Sequence, residues 1–192
     1  MEAKILTMEE MPEAVQVARG VFQYCLQRTV QDSRYITFFE QYANPENVGN
    51  LMQQGRLTLW GIYEQGHLIA MSGMQSEGHI TMLYVLPIFQ RRGYGSQLLE
   101  TMRTYARVRY GLENVTVNAM PAWTAAYFQR KKFSPVNPAQ LNGAPFVSLQ
   151  AKSIRQVSYE KKTIPAGWIL GLSLGTLGLC FFIAVLFLFF LM

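Results

Sequence analysis

The chain of 192 residues is 50% hydrophobic and 15% charged, which places it outside the disordered range and gives it enough apolar material for a core. Lys and Arg outnumber Asp and Glu 17 to 12, and the surplus falls in short groups, so a nucleic-acid-binding tail is argued against while anionic lipid and phosphorylated ligands stay open. The last charged residue is Lys162; setting aside the apolar stretch after it leaves roughly 160 residues, the size of one ordinary domain rather than a multi-domain enzyme.

In chain order, Ala3–Leu6 reads as an opening strand, and Thr7-Met-Glu-Glu10 has the spacing of a helix capping box, with Pro12 blurring the helix start. Val15, Ala18, Phe22 and Cys25 recur at helical spacing, and Tyr35, Phe38, Phe39 and Tyr42 predict a second helix whose aromatic face reads as core. Leu57–Tyr63, His67–Met74 and His79–Leu86 predict three strands of an antiparallel meander, turned at Gly66 and Gly78. Leu98, Met102, Tyr105 and Ala106 mark a helix that Gly111 ends, with Arg107 and Arg109 near its negative pole. Val115–Ala119 is a further strand, Pro121 opens a helix through Trp123, Tyr127 and Phe128, and Val147–Ala151 is a late strand. The order is mixed α and β, with no internal repeat. Cys25 and Cys180 are the only cysteines, and Cys180 lies inside the apolar stretch, so they make a poor disulfide pair and a reducing compartment is expected. The acidic N-terminus MEAKILTMEEMPEAV lacks the apolar core of a secretory signal.

Chemistry concentrates between His79 and Ser96, where a strand stopped by Pro87 runs into a basic, glycine-bearing loop and then a helix. Gly93 and Gly95 let backbone approach an anion closely, and the free amides and positive end of the helix attract phosphate, with Arg91 and Arg92 adding charge. This suits a pyrophosphate. A dinucleotide fingerprint needs a third glycine where Leu98 stands, and the Gly-Lys-Ser/Thr of a P-loop is absent.

Gln90-Arg-Arg-Gly93-Tyr-Gly95 does match Gln/Arg-x-x-Gly-x-Gly/Ala, and in this setting of strand, proline and helix it resembles the signature of the GNAT superfamily of N-acetyltransferases. The resemblance continues in Val117-Asn-Ala-Met-Pro121 followed by Tyr127, and in the opening Leu6-Thr-Met-Glu-Glu-Met-Pro12; it covers roughly residues 1–151 and is strongest from 79 to 133. It implies an α+β fold in which helices flank a twisted, mostly antiparallel sheet, with acetyl-CoA wedged where two central strands splay. By the same resemblance Leu83, Tyr84 and Val85 offer backbone groups to the pantetheine, Gln90, Arg91, Arg92, Gly93, Tyr94, Gly95 and Ser96 form the pyrophosphate loop, and Asn118 contacts the cofactor near the splay.

One departure concerns the family's catalytic tyrosine. Counted forward from Asn118 it falls on Tyr127; counted back from Phe133 it falls on Phe128, and Lys132 stands where a glycine is usual. Tyr127 is favoured, because a phenol can donate a proton to a leaving thiolate and a phenyl ring cannot. Direct transfer needs a neutral amine, a polarised carbonyl and a proton for the departing sulfur, with Glu77, His79 or water as the base. Two isolated histidines without a Cys/Asp/Glu cluster make no metal site.

Trp168–Met192 is 25 uncharged residues, which at about 1.5 Å each exceeds the ~30 Å hydrocarbon core of a bilayer. Trp168 sits where an interfacial anchor belongs, and Lys161 and Lys162 precede it, so a single-pass C-terminal anchor with the domain in the cytoplasm is expected. Gly167, Gly171 and Gly175 share one helix face that permits self-association or a membrane partner. The expected organisation is an N-acetyltransferase domain over 1–151, a polar linker over 152–165 and a transmembrane helix over 166–192. The expected activity is acetyl transfer from acetyl-CoA to a primary amine of a small-molecule or peptide acceptor, without metal or nucleic acid. The alternative is a non-catalytic acyl-CoA sensor tethered to the membrane.

Overall fold

A computed structural model describes residues 2–25, 33–136 and 146–155. Its elements are β1 (Lys4–Ile5), α1 (Met11–Cys25), α2 (Ser33–Tyr42), α3 (Pro45–Gln53), β2 (Leu57–Glu64), β3 (His67–Gln75), β4 (His79–Val85), α4 (Tyr94–Tyr110), β5 (Asn114–Ala119), α5 (Ala125–Arg130), β6 (Ser134–Pro135) and β7 (Val147–Lys152). The seven strands form one sheet in the order β1-β2-β3-β4-β5-β7-β6, with every pairing antiparallel except β4 against β5.

Local chemistry explains most of these boundaries. The Glu10 carboxylate accepts the Thr7 N–H at 2.9 Å and the Thr7 carbonyl accepts from Met11, so the Thr7–Glu10 box does start α1. The same carboxylate accepts from Lys4 Nζ at 2.7 Å and Tyr63 Oη at 3.1 Å, tying the helix start to β1 and β2. Lys4, then the Thr7 amide, hold the Glu10 carboxyl down at about 2. Gly66 and Gly78 turn the meander with φ of 82° and 86°, conformations that glycine adopts without steric penalty. Gly111 ends α4 at φ 68°, donating to the Arg107 carbonyl while Leu112 donates to that of Ala106.

The sheet separates two cores. Trp60, Ile69, Met74, Leu98, Met102, Phe128 and Leu149 pack on the α4 side, while Val15, Phe22, Phe39, Leu59, Met71 and Met82 pack on the α1 side. Phe22 stacks on Phe39 with ring centroids 3.9 Å apart, joining α1 to α2.

Three expectations change. In α2 only Phe39 is fully buried, against Phe22 and Tyr84; Tyr35, Phe38 and Tyr42 are half-exposed, because a surface helix buries one narrow stripe. Pro121 does not open the α-helix: a 3-10 turn over Ala122–Thr124 intervenes before α5 begins at Ala125. Helix α3, which the apolar periodicity does not announce, is set by its entry, where Asn44 accepts the Glu46 and Asn47 amides at 2.9 and 3.2 Å and Pro45 takes the first position. Past β7 the chain stays fastened to the domain, with the Ser153 amide donating to Glu113 and that of Ile154 to Arg103.

The apolar stretch Trp168–Met192, its Gly167, Gly171 and Gly175 ridge, Cys180 and the Lys161–Lys162 pair all lie outside the described residues. Among the described residues no helix is long and apolar enough to cross a membrane.

Candidate active site

The parallel strands β4 and β5 pair only at their starts, His79 with Thr116 and Ile80 with Val117. Beyond that point β4 continues to Val85 beside β3 alone, and β5 continues to Ala119 beside β7 alone. The facing edges of Thr81–Val85 and Asn118–Ala119 therefore carry unpaired main-chain groups around a V-shaped gap, which a polar ligand can satisfy. A register shift at Gly73/Met74 in the β3–β4 ladder accompanies the departure of β4. Leu83 and Val85 pack toward the α4-side core, and Tyr84 toward the α1-side core, where its ring meets Phe39 edge-on with centroids 6.2 Å apart.

At the open end of the gap the chain turns through a 3-10 segment, Pro87–Phe89, into the Gln90–Gly93 loop. Gln90 fastens the loop by donating from Nε2 to the Val85 carbonyl at 3.0 Å. Arg91 and Arg92 are exposed; Arg91 has φ 66°, and the Arg92 guanidinium lies 5.3 Å from the Phe89 ring centroid. Gly93 precedes α4 with φ 93° and no side-chain cap, and nothing stands within 4 Å of where its Cβ would be. The Tyr94 and Gly95 amides at the start of α4 thus have no partner inside the helix and lie beside the open space at Gly93, while the Ser96 amide donates to the Gly93 carbonyl at 3.0 Å.

Gly95 is the point of closest convergence. A Cβ there would lie 3.0 Å from Tyr127 Oη and 3.7 Å from Val85 Cγ2, so the absence of a side chain lets α4, α5 and β4 meet. Tyr127 Oη is buried and has no hydrogen-bond partner; the Ser96 hydroxyl comes near enough to influence it but stops short of a bond. Burial pushes the phenol pKa upward, against smaller downward pulls from Ser96 and the Arg130 charge, so it is a neutral O–H donor at ordinary pH. Phe128 is buried in the α4-side core beside Phe133 at 5.6 Å between centroids, with the Tyr127 ring edge-on to it at 5.2 Å. Of the two candidate rings, Tyr127 is the one whose hydroxyl comes to Gly95.

Asn118 is exposed on β5 just beyond the last β4 pairing, and its Oδ1 accepts from Ser148 Oγ at 2.8 Å, which fixes the amide from β7. His79 sits at the closed end, its Nδ1 2.9 Å from Thr116 Oγ1, and burial holds its pKa below the ordinary value. Glu77 accepts from Ser76 Oγ at 3.4 Å outside the gap. Among the described residues no group of three His, Cys, Asp or Glu side chains is arranged to hold a metal.

A groove of about 300 Å³ adjoins the loop, lined by Ser96, Leu99, Glu100 and Arg103 of α4, by Arg130–Lys132 at the end of α5, and by Ile154. The Arg103 guanidinium donates to the Lys152 carbonyl at 2.9 and 2.6 Å and to that of Lys131 at 3.4 Å, and lies 5.7 Å from the Phe133 ring. Lys132 has φ 67°, a left-handed conformation that costs a residue with a Cβ about 1–2 kcal/mol. Sequence periodicity alone does not reveal this groove: Ser96, Leu99, Glu100 and Arg103 share a helical stripe, but the opposite wall comes from thirty residues later.

A strand splay opening onto a glycine-bearing helix start, with a neutral phenol above it, defines the class: an acyltransferase that uses a CoA thioester. The acetyltransferase (GNAT) domain family model matches residues 23–152, and the chain belongs to that family as an acetyl-CoA-dependent N-acetyltransferase. Solved structures share the fold. PaiA N-acetyltransferase from Thermoplasma acidophilum, solved with coenzyme A, aligns at TM-score 0.64 and 13% identity over 79% of this chain and 99% of its own. A GNAT-family acetyltransferase from Staphylococcus aureus aligns at 0.61 and 9% identity over 80% and 99%, and an acetyltransferase from Thermus thermophilus at 0.59 and 14% over 79% and 97%. No curated protein matches the chain.

Proposed function

We propose that this protein transfers an acetyl group directly from acetyl-CoA to the primary amine of a small-molecule or peptide acceptor, with no acylated side chain in between. The observation that carries the reading is Tyr127 Oη: a buried, neutral donor without a partner, at the point where β4, α4 and α5 converge. An orphaned buried hydroxyl is destabilising by itself and is retained where a ligand completes it.

The residues present fit acetyl-CoA, which supplies the activated acyl group. Arg91 to Ser96 hold the pyrophosphate through main-chain amides and the helix dipole, with Gly93 leaving the approach clear. Gln90 holds the loop against the end of β4. Leu83, Tyr84 and Val85 supply main-chain partners along the open edge of β4, and Asn118, held by Ser148, closes the β5 side. Tyr127 donates its proton to the sulfur as the carbon–sulfur bond breaks, so the departing group leaves as a thiol; the proton lost by the attacking amine passes to water, and the phenolate regains its proton from water. The raised pKa keeps that proton available past the ordinary tyrosine value of 10.0.

For the C-terminal stretch we retain a single membrane span over residues 166–192 with the domain on the cytoplasmic side. It is supported by 25 uncharged residues from Trp168 to Met192 with Lys161 and Lys162 on the domain side. The Gly167, Gly171 and Gly175 face is available there for self-association.

The test is thiol release from acetyl-CoA across an amine panel, with acetylated product identified by mass spectrometry. Turnover with at least one amine, lost on Tyr127→Phe, is expected; acetyl-CoA binding with no amine turned over would leave the protein a sensor.

A further inference from the structure

Strands β4, β5 and β6 run in the same direction, since β4 pairs parallel with β5 while β5 and β6 both pair antiparallel with β7. Their C-terminal ends therefore lie at one end of the sheet, where the gap opens. Each is followed closely by a large apolar side chain in solvent: Ile88 after β4, Trp123 after β5 and Val136 after β6, which are 74%, 64% and 51% exposed. Two helix ends reach the same place. Tyr24, 67% exposed, precedes Cys25, whose sulfur accepts from Gln90. Ile36, 43% exposed, belongs to the first turn of α2, whose Phe38 meets Phe146 just ahead of β7. Among the described residues eight large hydrophobic side chains are exposed, and these are five of them.

We propose that this rim is a docking surface for an anionic lipid bilayer, set so that the open end of the gap faces the headgroups. The proposal rests on the membrane span proposed for residues 166–192, which supplies the tether, and goes beyond it by giving the domain its own contact with the bilayer.

The residue types of the rim select this occupant. Trp and Tyr are favoured at the headgroup level, where an apolar ring and a polar edge are satisfied together, and Ile adds apolar surface that enters shallowly. Arg91 and Arg92 follow Ile88 closely and are exposed, and among the described residues neither makes an ion pair. Acetyl-CoA calls on the main-chain amides of this loop, which leaves the two guanidinium groups for lipid phosphates. Residues 24–25, 33–37, 86–93, 120–124 and 134–136, which build the rim, contain no Asp or Glu, so nothing in them opposes a negative surface. Each arginine beside such a surface favours the docked state by about fivefold.

The tether is long enough. β7 runs from the rim toward the opposite end of the sheet, and its 6 residues carry the chain about 20 Å away. Residues 156–165 extend to about 33 Å, enough to return along the domain to a bilayer at the rim.

The experiment is quenching of tryptophan fluorescence by brominated lipid, with the full-length protein reconstituted into phosphatidylcholine vesicles with or without phosphatidylglycerol. The chain has 3 tryptophans. Trp60 is buried out of reach of lipid, and Trp123→Phe and Trp168→Phe separate the other two by subtraction. Expected is quenching of Trp168 in both lipids. Quenching of Trp123 should report a docked fraction that phosphatidylglycerol favours by about fivefold or more and that added salt reduces. Ile88→Glu, at an exposed position, should leave the thermal midpoint unchanged, abolish the Trp123 quenching and spare that of Trp168. Trp123 unquenched in phosphatidylglycerol vesicles, whether in water or covered by a second copy of the chain, overturns the proposal; so does quenching indifferent to phosphatidylglycerol. Trp168 unquenched overturns the membrane span instead, and Trp123 still reports on the rim.

Discussion

Replacing Tyr127 by Phe should make the protein more stable and far less active. The substitution removes one oxygen and nothing else, and that oxygen is buried without a hydrogen-bond partner. An unsatisfied buried polar group is destabilising by about 1–3 kcal/mol, so the variant gains on the order of 1 kcal/mol, which for a domain of this size raises the midpoint by about 2–4 °C. Packing is otherwise preserved, because the ring keeps its edge-on contact with Phe128 at 5.2 Å between centroids. Removing a positioned general acid lowers the rate by roughly a hundredfold or more. Scanning calorimetry and thiol-release kinetics on parent and variant measure the two effects side by side. Unchanged turnover refutes the acid role, and a lowered midpoint refutes the claim that the hydroxyl is held in place at the expense of stability.

Gly95→Ala puts a methyl 3.0 Å from Tyr127 Oη; overpacking of that kind costs about 1–3 kcal/mol, and Tyr127→Phe in the same chain should restore most of it, as a double-mutant cycle by chemical denaturation will read out. Gly93→Val places a β-branched residue at φ 93° and should weaken acetyl-CoA binding in calorimetry; unchanged affinity in a folded variant would remove the loop from the site. Acid stability should fall in two stages. His79, held neutral by burial, contributes fully above the ordinary imidazole value of 6.5 and its contribution declines as pH drops below it, while Glu10 contributes fully above 4.5 and loses its contribution as pH falls toward about 2. His79→Gln should flatten the first stage of a stability-against-pH curve. Ala184→Arg places a charge mid-stretch, unfavourable by roughly 2.5–3.5 kcal/mol on insertion scales, and should weaken retention in carbonate-washed membranes; full-length protein recovered as soluble would rule out the anchor.

The loop was legible because its chemistry is consecutive: Gln90 to Ser96 follow a strand and open a helix, so the two glycines and two arginines can be read in one window. The meander and the end of α4 were legible for the same reason, since Gly66, Gly78 and Gly111 adopt the positive φ their positions suggested. What sequence could not supply depends on long-range placement. Counting from Asn118 or from Phe133 leaves the tyrosine register double, and only the folded α5 shows which hydroxyl-bearing ring lies beside Gly95 and that Phe128 is buried next to Phe133. The gap itself depends on where β4 and β5 stop pairing, after Ile80 and Val117, which neither strand's pattern announces. The cationic groove joins α4 to the end of α5 and to Ile154, three segments with no common periodicity.

The central claim is geometric, and a crystal structure of the full chain with acetyl-CoA tests it most directly. The pyrophosphate is expected on the amides of Arg91 to Ser96, the thioester between the open edges of β4 and β5, and the sulfur within about 3.5 Å of Tyr127 Oη. Acetyl-CoA bound elsewhere, or bound in the gap with its sulfur out of hydrogen-bond reach of that phenol and no water between them, would contradict the account.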